Sequence, residues 1–350
     1  MNRDELNGHS DCERYLLMKG RILITARAFW KSGGEAEVLL NREGFETVRS
    51  PKAGPYPATE LIPLLQGYDA VIASTDEYSF ELMSACPQLK IISRWGVGFD
   101  SIDLAAATEL GVIASTTPGA MTDTVADYAF ALILGIARRI SESDRMMREG
   151  GWGELTGVLV CGKTLGLVGF GAIARGTAKR SRGFDMKVLA YDPYVSKEAR
   201  LEFPATEFVT LDRLLEESDF VSLHAAATPE TKGMFNAARF AQMKRSAYFI
   251  NTSRGSLVDE TALMEALSSG SIAGAAIDVY SKEPPPPDAL IRSAPNTLLT
   301  THNAFNTAEA AHSTSILAAQ NVLSLLKGER LQAVRNQDVW ESKSLRLRPS

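Results

Sequence analysis

Short apolar runs alternate along the chain with longer stretches in which apolar residues recur every three or four positions. The runs read as strands buried on both faces, and the periodic stretches as the helices that cover them. In the first third this predicts strands over 21–25, 45–49, 70–74, 89–94 and 112–116, with helices over 36–41, 59–65, 80–85 and 102–110. Thr117-Pro118-Gly119 breaks the pattern, and a long amphipathic helix over 124–140 follows, then a polar segment to Gly151-Trp152-Gly153. Further strands are predicted over 165–170, 187–191, 220–224, 247–251, 274–279 and 297–301. The final helix, 309–327, has no strand after it, as expected if the chain returns there to its first domain. Strands alternating with helices predict an α/β protein with parallel sheets. Its 350 residues suffice for two cores. Residues 1–19 and 341–350 lack apolar periodicity and are expected to be disordered, with Met18 a candidate start.

The sharpest local pattern is TLGLVGFGAIARGTAKRSRGFDMKVLAYD, residues 164–192. It reads as strand, glycine turn, helix over 172–180, strand, acid, which is the context a dinucleotide-binding turn requires. Gly169 permits the tight turn. Gly171 lets a pyrophosphate approach the backbone, and Ala174 keeps helix and strand close. The phosphate charge would rest on the N–H groups at the helix N-terminus. Asp192 follows Gly171 by about 21 residues, near the ~20 expected of a carboxylate that bonds both ribose hydroxyls. Pro193 and Tyr194 supply no cation for a 2′-phosphate, so NAD is favoured over NADP.

Composition narrows the classes. With 45% hydrophobic and 23% charged residues and a net charge of −5, the chain gives no reason to expect nucleic acid or an anionic membrane as partner. No apolar stretch reaches the ~18 residues of a membrane span, and the N-terminus lacks the apolar core of a signal peptide, so a cytoplasmic protein is expected. Cys12, Cys86 and Cys161 have no metal-ligand spacing and read as reduced thiols; no metal site is expected.

Beside a nicotinamide, a group must move a proton while hydride moves. Of the four histidines, His9 lies in the polar extension and His312 within the final helix. His224 and His302 both end predicted strands, where open α/β sheets bind ligands. Two other strand ends carry charge: Asn251-Thr252-Ser253-Arg254-Gly255, and the run from Asp278 through Glu283 to Pro284. An arginine can hold a carboxylate bidentately. A glutamate bonded to a histidine ring favours the protonated ring.

These motifs, taken in order, resemble the D-isomer-specific 2-hydroxyacid dehydrogenases, especially their phosphoglycerate dehydrogenase-like branch. The resemblance covers about residues 20–330. It is carried by RWGVGFD at 94–100, GKTLGLVGFGAIA at 162–174, SLHAAATPETKGMF at 222–235, INTSRGSLVDETAL at 250–263, AAIDVYSKEP at 275–284 and TTHNAFNTAEA at 300–310. It implies two Rossmann-like domains: a discontinuous flavodoxin-like substrate domain (20–118 and 303–340) and an NAD-binding Rossmann domain (119–302), with a cleft between them. By position, His302 would be the acid/base, Glu283 its partner, and Arg254 the ligand of the substrate carboxylate and 2-oxo group. The N–H groups of Val97 and Gly98, with the loop beginning at Ser74, would border the substrate. Ala172 and Ile173 would meet the pyrophosphate, and Asp278 the nicotinamide carboxamide. His224, Ala225, Thr252 and Ser253 would line the cofactor, so His224 is not the base. A homodimer is implied, with 124–140 and the following segment near its interface.

Three departures bear on the site. Ala174 replaces a third glycine. Ala172 stands where arginine is common, with Arg175 a candidate to compensate. Thr301 replaces a proline, and Asn303-Ala304-Phe305-Asn306 a glycine-rich follow-on. The substrate stays open between two classes. Overall similarity favours 3-phosphoglycerate and serine biosynthesis. The loop Ser74-Thr75-Asp76-Glu77-Tyr78 lacks the arginine a phosphate calls for and favours hydroxypyruvate or glyoxylate; the alternative is that its carboxylates face solvent and Arg94 or a residue of a second subunit supplies the cation. No regulatory domain is expected after residue 330. A rival of another class is a non-catalytic NAD(H) sensor, a corepressor-like binding protein. The charged trio Arg254, Glu283 and His302 weighs against it.

Overall fold

The computed structural model describes residues 19–347. The extension expected at the N-terminus, with His9, Cys12 and Met18, lies outside them, except that Lys19 already bonds Gly44 O and leads into β1. In chain order the elements are β1 (Gly20–Ile24), α1 (Arg27–Ser32), α2 (Gly34–Arg42), β2 (Phe45–Arg49), α3 (Ala58–Leu65), β3 (Ala70–Ala73), α4 (Phe80–Ala85), β4 (Ile91–Arg94), α5 (Leu104–Glu109) and β5 (Ile113–Ser115). Then come α6 (Thr122–Ala137), α7 (Ile140–Arg148), β6 (Thr164–Val168), α8 (Ala172–Ser181), β7 (Lys187–Tyr191), α9 (Lys197–Glu202), β8 (Thr206–Phe208), α10 (Leu211–Glu217) and β9 (Phe220–Leu223). The series ends with α11 (Ala237–Gln242), β10 (Tyr248–Asn251), α12 (Glu260–Ser268), β11 (Gly274–Ile277), β12 (Thr297–Leu299) and α13 (Ala308–Leu326). Among the described residues no helix is long and apolar enough to cross a membrane.

These elements form two compact units. One runs to Met121 and resumes at Thr307; the other is Thr122–Asn306. The first holds a five-stranded parallel sheet in the order β2-β1-β3-β4-β5, the flavodoxin-like arrangement. Its central strand β3, AVIA, is apolar and buried throughout because both faces of the sheet are covered. Leu61, Leu65, Leu82 and Met83 cover one face with Val71 and Ile92. On the other, α13 packs against α1, α2, β3 and β4 and is pinned by Trp95 Nε1 donating to Ser315 Oγ at 3.0 Å and Asn321 Nδ2 to Thr116 O at 2.9 Å.

The C-terminal tail departs from expectation. Residues 333–335 pair antiparallel with the edge of β5. Farther on, Arg346 donates to the carbonyls of Met83, Cys86, Leu89 and Leu110, and Leu347 is buried. Arg346 thereby satisfies carbonyl groups that the ends of α4 and α5 leave without helical partners. A basic segment without periodicity is held here by the Arg346 guanidinium, the Arg346 N–H on Gly111 O and the single buried side chain of Leu347.

The second unit holds a seven-stranded parallel sheet in the order β12-β11-β10-β9-β6-β7-β8, a Rossmann order extended by one strand. Alternation along each strand divides its side chains between two layers. Leu165, Leu167, Phe220 and Ile250 pack with Phe130, Ile133 and Ala174. Val168, Val221 and Phe249 pack with Leu214, Phe240 and Leu263 on the opposite face. The long helix predicted over 124–140 is α6, which ends at Ala137; Arg139, at φ 53°, then turns the chain into a further helix, α7, where a polar segment was predicted.

Candidate active site

Every strand of the second sheet except the edge strand β8 delivers a candidate residue on the loop at its C-terminal end, the edge at which open parallel sheets bind ligands. After β6 come Gly169 and Gly171, after β7 Asp192, and after β9 His224 and Ala225. Thr252, Ser253 and Arg254 follow β10, Asp278 and Glu283 follow β11, and His302 follows β12. Ser74, Val97 and Gly98 belong to the first unit, on the loops after β3 and β4.

The glycine turn has the shape its sequence implies. Gly169 takes φ +86°, and a Cβ there would lie 2.7 Å from Ala225 N. Gly171 is ordinary in backbone, yet a Cβ added to it meets nothing within 4 Å: the space beside it is open. Gly171 caps α8 without a side chain, so the first-turn N–H groups of Ala172 and Ile173 keep no side-chain cap. Asp192 receives the N–H of Phe170 through Oδ2 and that of Tyr194 through Oδ1, each at 2.8 Å. Each oxygen retains a further acceptor site. Thr252 Oγ1 is buried and finds no partner among the described residues, as a hydroxyl waiting on a bound ligand does. Arg175 lies 3.7 Å from Glu202 and points toward that carboxylate, so the compensating role considered for it is not what the geometry shows.

His302 Nδ1 and Glu283 Oε2 are 2.6 Å apart, and both side chains keep about a third of their surface (33% and 35%). An ionised carboxylate only accepts, so the Nδ1 proton sits between them and Nε2 is left for other chemistry. Burial pushes the Glu283 carboxyl up, but the hydrogen bond and charge of His302, the Tyr280 N–H and the charge of Arg254 together hold it below the usual range. It is ionised at neutral pH. The Tyr280 hydroxyl donates to Thr300 O at 2.6 Å, tying the Glu283 loop to the His302 turn, and burial pushes its own pKa up to about 12. A cavity of about 330 Å³ opens beside the pair, lined by Tyr280, Pro284, Leu299 and Thr301 among others. Phe305 meets the His302 ring edge-on at 6.0 Å.

Asp278 has a larger part than its sequence position suggested. It is buried, and its Oδ1 accepts the Thr300 hydroxyl at 2.6 Å and Asn303 N–H at 2.9 Å, while Oδ2 accepts Ala304 N–H at 3.0 Å. The four-residue run after His302 is therefore anchored by a carboxylate instead of by glycine turns. His224, the other strand-end histidine, bonds Ser222 Oγ through Nε2 at 2.9 Å. Its ring is partly buried, and that burial lowers its pKa to about 4. It is neutral at physiological pH.

The signature of the D-isomer specific 2-hydroxyacid dehydrogenase NAD binding domain matches residues 130–304. A glyoxylate reductase of Thermofilum pendens is 43% identical over 309 residues, covering 86% of this chain and 90% of its own. The chain belongs to the D-isomer-specific 2-hydroxyacid dehydrogenases. A D-3-phosphoglycerate dehydrogenase of Archaeoglobus fulgidus is 40% identical over 77% of this chain, which spans about half (51%) of that protein. The solved glyoxylate reductase of Paecilomyes thermophila superposes with a TM-score of 0.81 at 30% identity, covering 91% of this chain and 99% of that one. The protein is thus an NAD-dependent D-2-hydroxyacid dehydrogenase, and the glycine turn, open Gly171 and unpartnered Thr252 hydroxyl fit NAD as its cofactor.

Proposed function

We propose that this dehydrogenase interconverts a small unphosphorylated 2-oxo acid, of the glyoxylate or hydroxypyruvate class, with its (R)-2-hydroxy acid. The observation that carries the substrate class is the rim loop of residues 74–78, which holds two carboxylates and no lysine or arginine. Asp76, expected to face solvent, is fully buried there, while Glu77 stays exposed. The expectation failed at Asp76 because four donors converge on it. A phosphate dianion finds no cation on this loop. Relatives named glyoxylate reductase that match this chain over nearly their whole length support the same reading.

NAD(H), when bound, supplies or takes the hydride at C2. His302 Nε2 gives the proton to the 2-oxo oxygen in reduction and removes it in oxidation, with Glu283 fixing the ring through Nδ1. Arg254 holds the carboxylate and the 2-oxo oxygen, and the Val97 and Gly98 N–H groups of the first unit are donors suited to a substrate carboxylate. Ala172 and Ile173 N–H groups hold the pyrophosphate, and Asp192 the adenosine ribose. His224, Ala225, Thr252, Ser253 and Asp278 complete the cofactor's wall. We also propose a homodimer built on α7 and the segment after it, where no residue of α7 is buried and Ile140, Met147, Trp152 and Leu159 are exposed. Sedimentation of the purified protein reads its mass directly.

The test of the substrate class is NADH oxidation against glyoxylate, hydroxypyruvate and 3-phosphohydroxypyruvate. The expected result is kcat/KM at least tenfold higher for the unphosphorylated acids. Preference for the phosphorylated acid would reverse the substrate reading and leave the dehydrogenase standing.

A further inference from the structure

The buried carboxylate of Asp76 has no part in the chemistry described so far, yet it sits at the C-terminal rim of the first sheet, where β1 and β3 end. It is 0% exposed. Its Oδ2 accepts Ser74 N–H at 3.0 Å, the Thr25 hydroxyl, and the Tyr78 hydroxyl at 3.4 Å; its Oδ1 accepts Tyr56 N–H at 2.9 Å. Gly54 leaves room for it, since a Cβ there would stand 2.2 Å from Oδ1. Burial raises its carboxyl above the usual range, against the opposing pull of the Thr25, Tyr56 and Ser74 hydrogen bonds and the charge of Arg94. A carboxylate so enclosed is costly unless its donors are held in place.

Those donors come from three separate loops. Thr25 follows β1, Tyr56 lies between β2 and α3, and Ser74 follows β3. Tyr78 extends the connection to a fourth. It is 1% exposed, its N–H donates to Ser101 O at 2.9 Å, and its carbonyl accepts Asp103 N–H at 3.0 Å. The stretch from Trp95 to Asp103, which carries Val97 and Gly98, is thus fixed at its far end by the residue whose hydroxyl rests on Asp76. Its near end is fixed by Gly96 N–H on Thr117 Oγ1 at 2.8 Å.

We infer that Asp76 is a positioning residue for the substrate carboxylate, holding Ser74 and the Val97–Gly98 loop in register through Thr25 and Tyr78. The inference rests on the substrate role proposed above for that loop. Neither asparagine nor a change of rotamer can replace the carboxylate. Its two oxygens each meet a backbone N–H, of Ser74 or of Tyr56, and an asparagine NH₂ must face one of them.

The test uses Asp76→Asn together with Thr25→Val, which keeps the shape and removes the hydroxyl, and Thr25→Ser, which keeps the hydroxyl. At saturating NADH, KM for the preferred 2-oxo acid is expected to rise about tenfold in Asp76→Asn and Thr25→Val. kcat should change by less than about threefold, NADH Kd should stay within about twofold, and Thr25→Ser should behave as wild type. Unmoved KM in the folded variants overturns the inference, as does a Thr25→Ser variant impaired as badly as Thr25→Val. Should Asp76→Asn not fold, the Thr25 pair decides alone. Wild-type turnover with unmoved variants sinks the role of Asp76 only; absence of wild-type turnover on any 2-oxo acid sinks the substrate reading and this inference with it.

Discussion

At His302 the backbone takes φ 52°, a left-handed value that residues with a side chain adopt rarely and at a cost of about 1–3 kcal/mol. The position is held from both sides by one residue: His302 N–H donates to Asp278 O at 2.8 Å, and the next two N–H groups end on the Asp278 carboxylate. The ring is then oriented by Glu283. His224 shows a different treatment of the same side chain, bonded to Ser222 and held neutral. The two histidines were separable from the other two by strand position alone, but only the resemblance to known dehydrogenases separated them from each other. Both rings are partly buried; the partners that divide them physically, Ser222 Oγ for one and the Glu283 carboxylate for the other, are not written in a local pattern. The same holds at Asp76, where the residue type announced a charge and the convergence of Thr25, Tyr56 and Ser74 decided its surroundings. The state of His224 has a consequence for stability. Its folded pKa of about 4 lies below the unfolded value of 6.5. Above pH 6.5 both states are neutral and nothing changes. Between 6.5 and 4 the unfolded chain takes up a proton that the folded one refuses, so stability falls as pH falls. By pH 5 the loss from this residue is about 2 kcal/mol. Denaturant titrations at pH 7 and pH 5 should show His224→Gln losing correspondingly less stability than wild type over that interval; equal losses would mean that burial does not hold the ring neutral.

At the scale of elements, the β6–α8 turn separates two uses of glycine. Gly169→Ala places a Cβ against the Ala225 backbone at a positive φ, and should cost more than about 1 kcal/mol of stability. Gly171→Ala meets nothing and keeps an ordinary φ of −72°. It should leave the thermal midpoint of the protein unchanged while raising NADH Kd tenfold or more, because the methyl group occupies the pyrophosphate's approach. An unchanged Kd would show that the phosphates lie elsewhere. This turn was readable because strand, glycines, helix and acid all fall within one short stretch. The buried strands were readable too, within one or two residues at their ends, since double-sided burial forces apolar runs. The helices α9 and α10, six and seven residues long, were not, for they offer barely two turns of periodicity, although α4 and α5, equally short, were. Nor was β8, a three-residue edge strand whose burial is only partial.

For the whole molecule, alternation of strand and helix foretold parallel sheets, whereas strand order had to come from the fold itself. Two orders emerge, 2-1-3-4-5 in one unit and a Rossmann order in the other, each bringing its functional loops to the C-terminal edge of its sheet. The tail was misread for a related reason: Arg346 is bound through carbonyls distant in sequence, and no periodicity marks such an anchor. We propose that the second unit carries both the NAD site and the proton-transferring histidine of a 2-oxo acid reductase. The most direct test measures NADH-dependent reduction of glyoxylate by wild type and His302→Ala, with NADH affinity determined in parallel by fluorescence. A fall in kcat of about 10²–10⁴, with NADH Kd within about twofold of wild type, is the predicted result. Wild-type turnover that survives the substitution, or a loss of NADH binding equal to the loss of turnover, would contradict it.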